Sequence, residues 1–339
     1  SSDVCSSDLL IVTLKEKFKV ALIFKEDYSF FNPNHFDRTT RDFFLNSLSQ
    51  HPQLEMSYHS CKNEFDTSKL KGKCDIVLLA NNRTDATPDK LIGIKNLGVP
   101  VVSRVGDPHH AQKYDQISFH EKWNISCYFG AIPKDYFYKY YPESFRYDTI
   151  IFGLEPTLYK NLRSFDERIK NRILNSGATG KLSLKSRLAV SILKPKQSAW
   201  YFYKLRTMCN YLPYVDYKGI RGSKYPDLSY PDYLSQYRAA IAATTYYPTQ
   251  KYWEIPAAGC LTFMEMTEKN HGDYLGFQDE KTAIFINKQN YKEKFQNFLD
   301  DPDNPKWKQI AQSGKNYTLT HLTNIRAIEK LVDLFKTLI

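Results

Sequence analysis

The chain has 339 residues, of which 42% are hydrophobic and 25% charged, and this composition excludes a wholly disordered protein. Lysine and arginine outnumber aspartate and glutamate by 47 to 37, and the net charge of +10 favours polyanions, phosphorylated small molecules or an anionic membrane surface as partners. No stretch reaches the ~20 apolar residues of a membrane span, and scattered cysteines without metal-binding spacing indicate a reducing compartment.

The first ten residues, SSDVCSSDLL, are low in complexity and lack the basic and apolar regions of a signal peptide. We expect them to be a cloning or sequence-assembly scar outside the fold. After them, continuous Val/Ile/Leu runs alternate with helical patterns, which indicates a parallel sheet covered on both faces. Strands are predicted at 19–24, 54–60, 74–82, 99–107 and 125–132, and helices at 37–50, 87–98 and 111–123.

A second alternation follows, and its most distinctive element is the helix predicted over 249–258. Pro248 suits the first turn of a helix, and Gly259 ends it. Pro256 lies inside, where its ring should clash with the carbonyl of Tyr252 and kink the helix. The other strands of this half are predicted at 172–179, 214–220, 239–246, 260–266 and 281–287, and its helices at 183–193, 198–212 and from 290 onward.

The two alternations predict an α/β protein with two Rossmann-like doubly wound domains that face a cleft. We place the N-terminal domain at 11–155, the C-terminal domain at 156–320 and a last helix at 321–339. The sequence has no Gly-x-Gly-x-x-Gly motif, which would be the strongest sequence evidence for NAD binding. Ligands of such folds bind beyond the carboxyl ends of the strands, where the strand order reverses. The site is therefore expected in the cleft.

Residues 251–331 carry a series of motifs in a recognisable order. They are a Glu-bearing helix ending in Ala-x-Gly (KYWEIPAAG), the strand CLTFMEM, the segment AIFIN, and a helical tail with Ala-x-x-Gly and His. This series resembles the C-terminal half of GT-B glycosyltransferases, most closely the group-1-like subset that includes CgeB-type proteins. The resemblance implies a C-terminal domain that binds a nucleotide sugar and an N-terminal domain on the acceptor side. The N-terminal half of this chain matches the family in architecture only.

The same resemblance implies that Glu254 accepts hydrogen bonds from the ribose hydroxyls of the donor, and an ionised carboxylate can accept from both. Lys251 lies one turn earlier and can meet a phosphate in the same cleft. The alternative is a surface Lys251–Glu254 pair, which stabilises a helix by only about 0.2–0.5 kcal/mol. Many retaining members have a second Glu eight positions earlier, where this chain has Tyr246, so the stereochemical outcome stays open.

The segment SGATGKLSLKSR is a second candidate for donor binding. Gly177 lies in the turn after the first strand of its domain, and a helix that begins after a glycine turn is a ready anion site. The family uses basic residues in this place, which here are Lys181, Lys185 and Arg187. A solvated basic face is the equally weighted alternative. Weaker candidates for the same role are Lys204 and Arg206.

In the N-terminal half, VVSRVGDPHHAQ ends a buried strand with Arg104, Asp107, His109 and His110. The resemblance places acceptor-side groups here, with Asp107 or His109 as the base that removes a proton from the acceptor. The alternative is a capped turn, because Asp107 followed by Pro108 makes a good helix start and the histidines then form a polar rim. We favour His109 over His110 as the base.

A third polar motif, the Asp-x-Asp of Asp301 and Asp303, lies between two predicted helices in a stretch rich in turn residues. We interpret it as a loop and not as a metal site. No metal or other cofactor is therefore expected.

The sequence thus predicts a cytoplasmic, metal-independent glycosyltransferase with a UDP- or GDP-linked donor and a glycan, lipid-linked or protein acceptor. The basic and aromatic segment 192–206 leaves open a peripheral contact with the inner membrane face. Its aromatic residues have helical spacing, so core packing explains them and no nucleic-acid partner is predicted. Two alternatives stay open: a non-catalytic interaction protein built on a GT-B scaffold, and a nucleotide-sugar 2-epimerase.

Overall fold

A computed structural model describes residues 17–35, 38–111, 115–180, 192, 199–218 and 229–339. The strands of this part are β1 (Phe18–Lys25), β2 (Leu54–Cys61), β3 (Glu64–Asp66), β4 (Ile76–Leu79), β5 (Lys90–Ile92), β6 (Val101–Arg104), β7 (Ile125–Gly130), β8 (Tyr147–Thr149), β9 (Ile169–Ser176), β10 (Val215–Lys218), β11 (Tyr237–Ala242), β12 (Leu261–Glu265) and β13 (Ile284–Ile286).

Within the described residues, all strand pairs are parallel and form two main sheets. The first sheet has the order β2-β1-β4-β6-β7-β8, and the second has the order β10-β9-β11-β12-β13. The strand order reverses between β1 and β4 in the first sheet and between β9 and β11 in the second. These are the switch points at which doubly wound sheets bind ligands.

Helices cover both sheets in the described part of the chain. The α-helices are Thr39–Arg41, Ser118–Lys122, Lys134–Tyr138, Ala199–Phe202, Lys204–Cys209, Tyr230–Leu234, Lys251–Ala257, Tyr291–Asp300, Pro305–His321 and Asn324–Lys336, and Asp42–Ser47 is a π-helix. The 3₁₀ helices are Ser29–Phe31, Leu48–Gln50, Thr67–Leu70, Ile94–Asn96, Pro108–His110, Pro156–Tyr159, Phe165–Glu167 and Gly272–Leu275.

The central strands are buried on both faces. All residues of β4, β11 and β12 are buried, and separate apolar clusters cover the two faces of each sheet. Continuous apolar runs fold in this way because helices on both sides remove both faces from water. The α/β prediction and most predicted strands are therefore confirmed.

The helix predicted over 87–98 is wrong. Residues 90–92 form β5, which pairs with β3, and Gly93 then takes a φ of +79°. Leu91 is buried between exposed Lys90 and Ile92, so the local burial alternates with the period of a strand. The left-handed turn at Gly93 separates this strand from the short 3₁₀ helix that follows.

Three other predicted helices differ in extent. The helix over 111–123 is limited to Ser118–Lys122 in the described residues, and Asp115 before it has a φ of +49°. The helix over 198–212 is divided at Tyr203, whose backbone (φ −123°, ψ 40°) is not helical. The helix predicted over 183–193 lies outside the described residues except for Ile192.

The last helix, Asn324–Lys336, returns to the first sheet. Its apolar side chains join the same cluster as Val20 and Phe43. Asn324 fixes this return, because its Oδ1 accepts from the Gly153 N–H (2.8 Å), its Nδ2 donates to Ser47 Oγ (3.1 Å) and its own N–H donates to the Leu154 carbonyl (2.8 Å). Asn324 thus connects the crossover between the sheets with Ser47 and with the start of the last helix.

No helix in the described part is both long enough and apolar enough to cross a membrane.

We predict that Asn324→Ala destabilises the protein by about 1–3 kcal/mol, because the buried Gly153 N–H loses its acceptor. Urea unfolding measures the change. Asn316→Ala is the matched control, since Asn316 is exposed and its side-chain Oδ1 accepts from the exposed Gln312. Equal unfolding midpoints for the two variants would contradict the structural role of Asn324.

Candidate active site

The carboxyl edges of the two sheets face each other and enclose a cavity of about 440 Å³. Several contacts between the sheets hold its walls. Tyr247, after β11, donates to Asp107 Oδ1 at 3.0 Å, and Tyr274 donates to the Ala131 carbonyl at 2.7 Å. Gln250 Nε2 donates to Thr39 Oγ1. The predicted cleft between the two sheets is therefore present.

On the C-terminal side, the structure brings Gly177 and Lys251 together. Gly177 follows β9 with a φ of +102°, a conformation that favours glycine, and a Cβ there would overlap Cε of Lys251. The Lys251 side chain is buried, and its Nζ donates to Tyr230 OH at 2.6 Å. The two predicted donor-binding residues thus form one basic corner at the switch point between β9 and β11.

Arg206 completes this corner. It is 2% exposed, its Nη1 donates to the Ala178 carbonyl at 3.2 Å, and a Cβ on Gly177 would lie 3.4 Å from that nitrogen. Its Nε and Nη2 atoms are buried and have no hydrogen-bond partner among the described residues. The sequence gave Arg206 only as a weaker candidate, and no local signal showed that its helix would contact the end of β9.

Glu265, the last residue of β12, lies in the field of Arg206 and was missed by the sequence. It is 4% exposed, and its Oε2 has no hydrogen-bond partner in the described part of the chain. Burial raises the pKa of Glu265 to about 7, although Arg206, Lys288 and Lys269 lower it. The sequence interpreted this residue as part of a buried apolar strand, and only its position at the strand's carboxyl end could have drawn attention to it.

Glu254 lies in the helix Lys251–Ala257, where both it and Lys251 are buried. This burial does not fit a pair on an exposed surface. The helix continues through Pro256, since the Ala258 N–H reaches the Glu254 carbonyl at 3.1 Å and Gly259 ends the helix with a φ of +72°. Neither Glu254 nor Lys251 lines the cavity, although their neighbours Gln250 and Trp253 do.

The tail motif Ala-x-x-Gly supports this helix. At Gly314 a side chain would overlap the Thr282 carbonyl, and the Pro256 Cβ lies 3.6 Å from the position of that missing Cβ. Gly314 therefore allows the helix Pro305–His321 to approach both Thr282 and the Pro256 turn. Tyr246, in the place of the second Glu, has its ring in contact with Phe202 (5.0 Å) and below Lys269 Nζ (4.9 Å).

On the N-terminal side, Asp107, His109 and His110 line the cavity together. The His109 ring contacts His110 (4.1 Å) and Phe202 of the other domain (4.4 Å). Burial lowers the pKa of His109, so the ring is neutral at pH 7, as a base requires. Its Nδ1 is buried without a partner in the described part, while Asp107 accepts from Tyr247.

These three residues also form a group with metal-binding chemistry. Each offers one ligand atom, and the three atoms lie within 4.8 Å of one another. The sequence did not predict this group as a metal site.

Two other predicted features are not part of the described site. Lys181, Lys185 and Arg187 are outside the described residues. Asp301 and Asp303 form a loop, as expected, and Asp303 accepts from Arg238 Nη1 at 2.8 Å. This Asp-x-Asp therefore contributes an ion pair at the surface of the second domain.

The comparisons with known proteins agree with this arrangement. Residues 192–333 match a family model described as "Glycosyl transferase-like". No curated protein sequence matches the chain. Among solved structures, Anabaena HepE in complex with UDP-glucose has a TM-score of 0.55 at 10% identity, covering 95% of this chain and 100% of that one. A glycosyltransferase from Rickettsia africae has a TM-score of 0.57 at 10% identity, covering 95% and 98%.

Sucrose-phosphate synthase from Thermosynechococcus elongatus also has a TM-score of 0.57 at 10% identity, covering 95% of this chain and 99% of that one. These similarities show the fold: two Rossmann-like domains that face a cleft, the GT-B architecture. The chain therefore has the GT-B fold, and its C-terminal part matches the glycosyl transferase-like family model, so the predicted resemblance is confirmed. Its place in the CgeB-like subset stays a prediction.

The raised pKa of Glu265 predicts how stability changes with pH. In the unfolded chain this carboxyl ionises near its ordinary pKa of 4.5, whereas the folded protein keeps the proton until about pH 7. Stability should therefore fall as the pH rises through this range. Glu265→Gln cannot ionise, so it should gain on the order of 1–3 kcal/mol relative to the parent between pH 4.5 and 8.

Urea unfolding at both pH values tests this expectation. Glu268→Gln is the control, because Glu268 is exposed and lies three residues away. A stability difference between parent and Glu265→Gln that does not change with pH would show that Glu265 ionises normally.

Proposed function

We propose that the protein transfers a glycosyl group from a nucleoside-diphosphate sugar to a glycan, lipid-linked or protein acceptor. The observation that carries this proposal is the buried basic corner of Gly177, Lys251 and Arg206 at the β9/β11 switch point. A diphosphate there would meet two cations, and the unpartnered Nε and Nη2 of Arg206 would gain charge-assisted hydrogen bonds. The UDP-glucose in Anabaena HepE supports a UDP-linked donor, with GDP as the second nucleotide to test.

In the proposed reaction, the bond between the anomeric carbon and the diphosphate oxygen breaks, and the nucleoside diphosphate leaves with the electron pair. Lys251 and Arg206 stabilise the negative charge that develops on it. The acceptor oxygen bonds to the anomeric carbon and gives its proton to His109 or Asp107, which line the cavity on the opposite side. The neutral imidazole of partly buried His109 makes it the better base.

We place the reaction in the cytoplasm. The cysteines of the described part are unpaired, which fits a reducing compartment. Contact with the inner membrane face through segment 192–206 would bring a lipid-linked acceptor to the cleft and stays part of the proposal.

We predict that Glu254→Gln weakens UDP binding about ten- to a hundredfold, because both ribose hydroxyls lose a charged acceptor. Isothermal titration with UDP and GDP measures the affinity. Glu293→Gln, an exposed change on the helix Tyr291–Asp300, is the control. Unchanged binding by Glu254→Gln would remove Glu254 from the ribose site, and no binding of any nucleotide or nucleotide sugar by the parent would refute the function.

We further propose that the reaction needs no metal, since Lys251 and Arg206 supply the positive charge that a metal gives to a diphosphate elsewhere. Sugar transfer should be equal in EDTA and in Mg²⁺ or Mn²⁺. Loss of transfer in EDTA, with recovery on adding metal, would instead assign a metal to Asp107, His109 and His110. Donor turnover without any acceptor would favour an epimerase, and binding without turnover an interaction protein.

A further inference from the structure

The N-terminal wall of the cavity contains a cation that neither the donor site nor the proposed proton transfer uses. Arg104 ends β6, is partly buried, and has its guanidinium 5.1 Å from the centre of the Phe152 ring. Among the residues that the structure describes, Arg104 makes no ion pair and no side-chain hydrogen bond. A partly desolvated guanidinium without a counter-charge is costly unless a ligand compensates it.

The nearby carboxylates already have partners. Asp85 accepts from Arg83 Nε (2.9 Å) and Nη2 (2.7 Å), and Asp107 accepts from Tyr247. Arg83 Nη1 takes part in neither of the bonds to Asp85, and Arg83 and Arg104 both line the cavity. Two guanidinium groups on this side of the cavity therefore offer N–H donors to an anionic ligand.

A polar acceptor lies beside these donors. Asn81 lines the cavity and is 3% exposed, and its Oδ1 has no hydrogen-bond partner in the described part of the chain. Gly106 gives it room, because a Cβ there would lie 3.0 Å from both Asn81 Oδ1 and Arg83 Cδ. The wall thus offers one buried acceptor for a hydroxyl next to donors for an anion.

We propose that the acceptor substrate carries an anionic group, a phosphate ester or a carboxylate, that binds Arg104 while a neighbouring hydroxyl binds Asn81 Oδ1. Both groups match the forked donors of arginine. This inference rests on the proposed function and names its acceptor class. The donor diphosphate is assigned to the separate basic corner of Gly177, Lys251 and Arg206, none of which is among the residues that line the cavity beside Arg104.

The test uses the full chain saturated with UDP, so that the basic corner of the donor site is occupied. Glycerol 3-phosphate and glucuronate are titrated against their neutral counterparts, glycerol and glucose, by ligand-observed NMR. We expect each anionic probe to bind at least about tenfold more tightly than its counterpart. The tighter of the two anionic probes identifies the phosphate or the carboxylate as the natural group.

Arg104→Gln should abolish this preference and leave UDP binding unchanged. Arg104→Lys keeps the charge but loses the forked geometry, so it should give an intermediate affinity. Arg326→Gln is the control, because Arg326 pairs with Glu329 on the surface of the last helix. Retained UDP binding in each variant shows that the cleft is folded.

Equal binding of neutral and anionic probes, or an anion preference that persists in Arg104→Gln, overturns the inference while the donor assignment stands. If UDP does not bind the parent, the proposed function fails and the acceptor class fails with it.

Discussion

Parallel pairing within each sheet determines where this protein can bind a ligand. Because all strands of a parallel sheet end at the same edge, the residues that follow β6, β9, β11 and β12 are collected at two edges. Contacts such as Tyr247 with Asp107 and Phe202 with His109 show that these edges face each other. The cavity between them is therefore a consequence of topology, and local sequence decides only which side chains line it.

Two small residues make this arrangement tight. Gly177 adopts a left-handed backbone conformation at the end of β9. Because it has no side chain, the Lys251 side chain can pack directly against it and place a cation there. Gly314 lets a long helix approach Thr282 and Pro256, behind the helix that carries Lys251 and Glu254. Asn324 then connects the last helix to the crossover between the sheets. Glycine packing thus supports the helix that carries Lys251 and Glu254, and Asn324 ties the last helix to the crossover.

The site contains polar groups that the fold alone does not satisfy. Arg206 has two buried nitrogens without partners, and Glu265 and Asn81 each have a buried oxygen without one. Such groups cost stability, and ordinary cores avoid them. Asn81 lines the cleft, and Arg206 and Glu265 lie near the carboxyl ends of β9 and β12. Charged and hydroxyl-bearing ligands, a nucleotide sugar on one side and an anionic acceptor on the other, would compensate them.

The sequence by itself determined the α/β class, most strands, and the Glu254 helix, because apolar runs, prolines and glycines act over a few residues. It also placed Gly177, Asp107 and His109 after strand ends, where parallel sheets collect polar groups, and Lys251 on the helix that carries Glu254. It did not predict β5, since the pairing partner of Leu91 lies in β3. It ranked Arg206 low and missed Glu265, because only tertiary packing brings a helix across β9 and buries these charges together. Distances between residues far apart in the chain decide those roles, and local patterns carry no information about them.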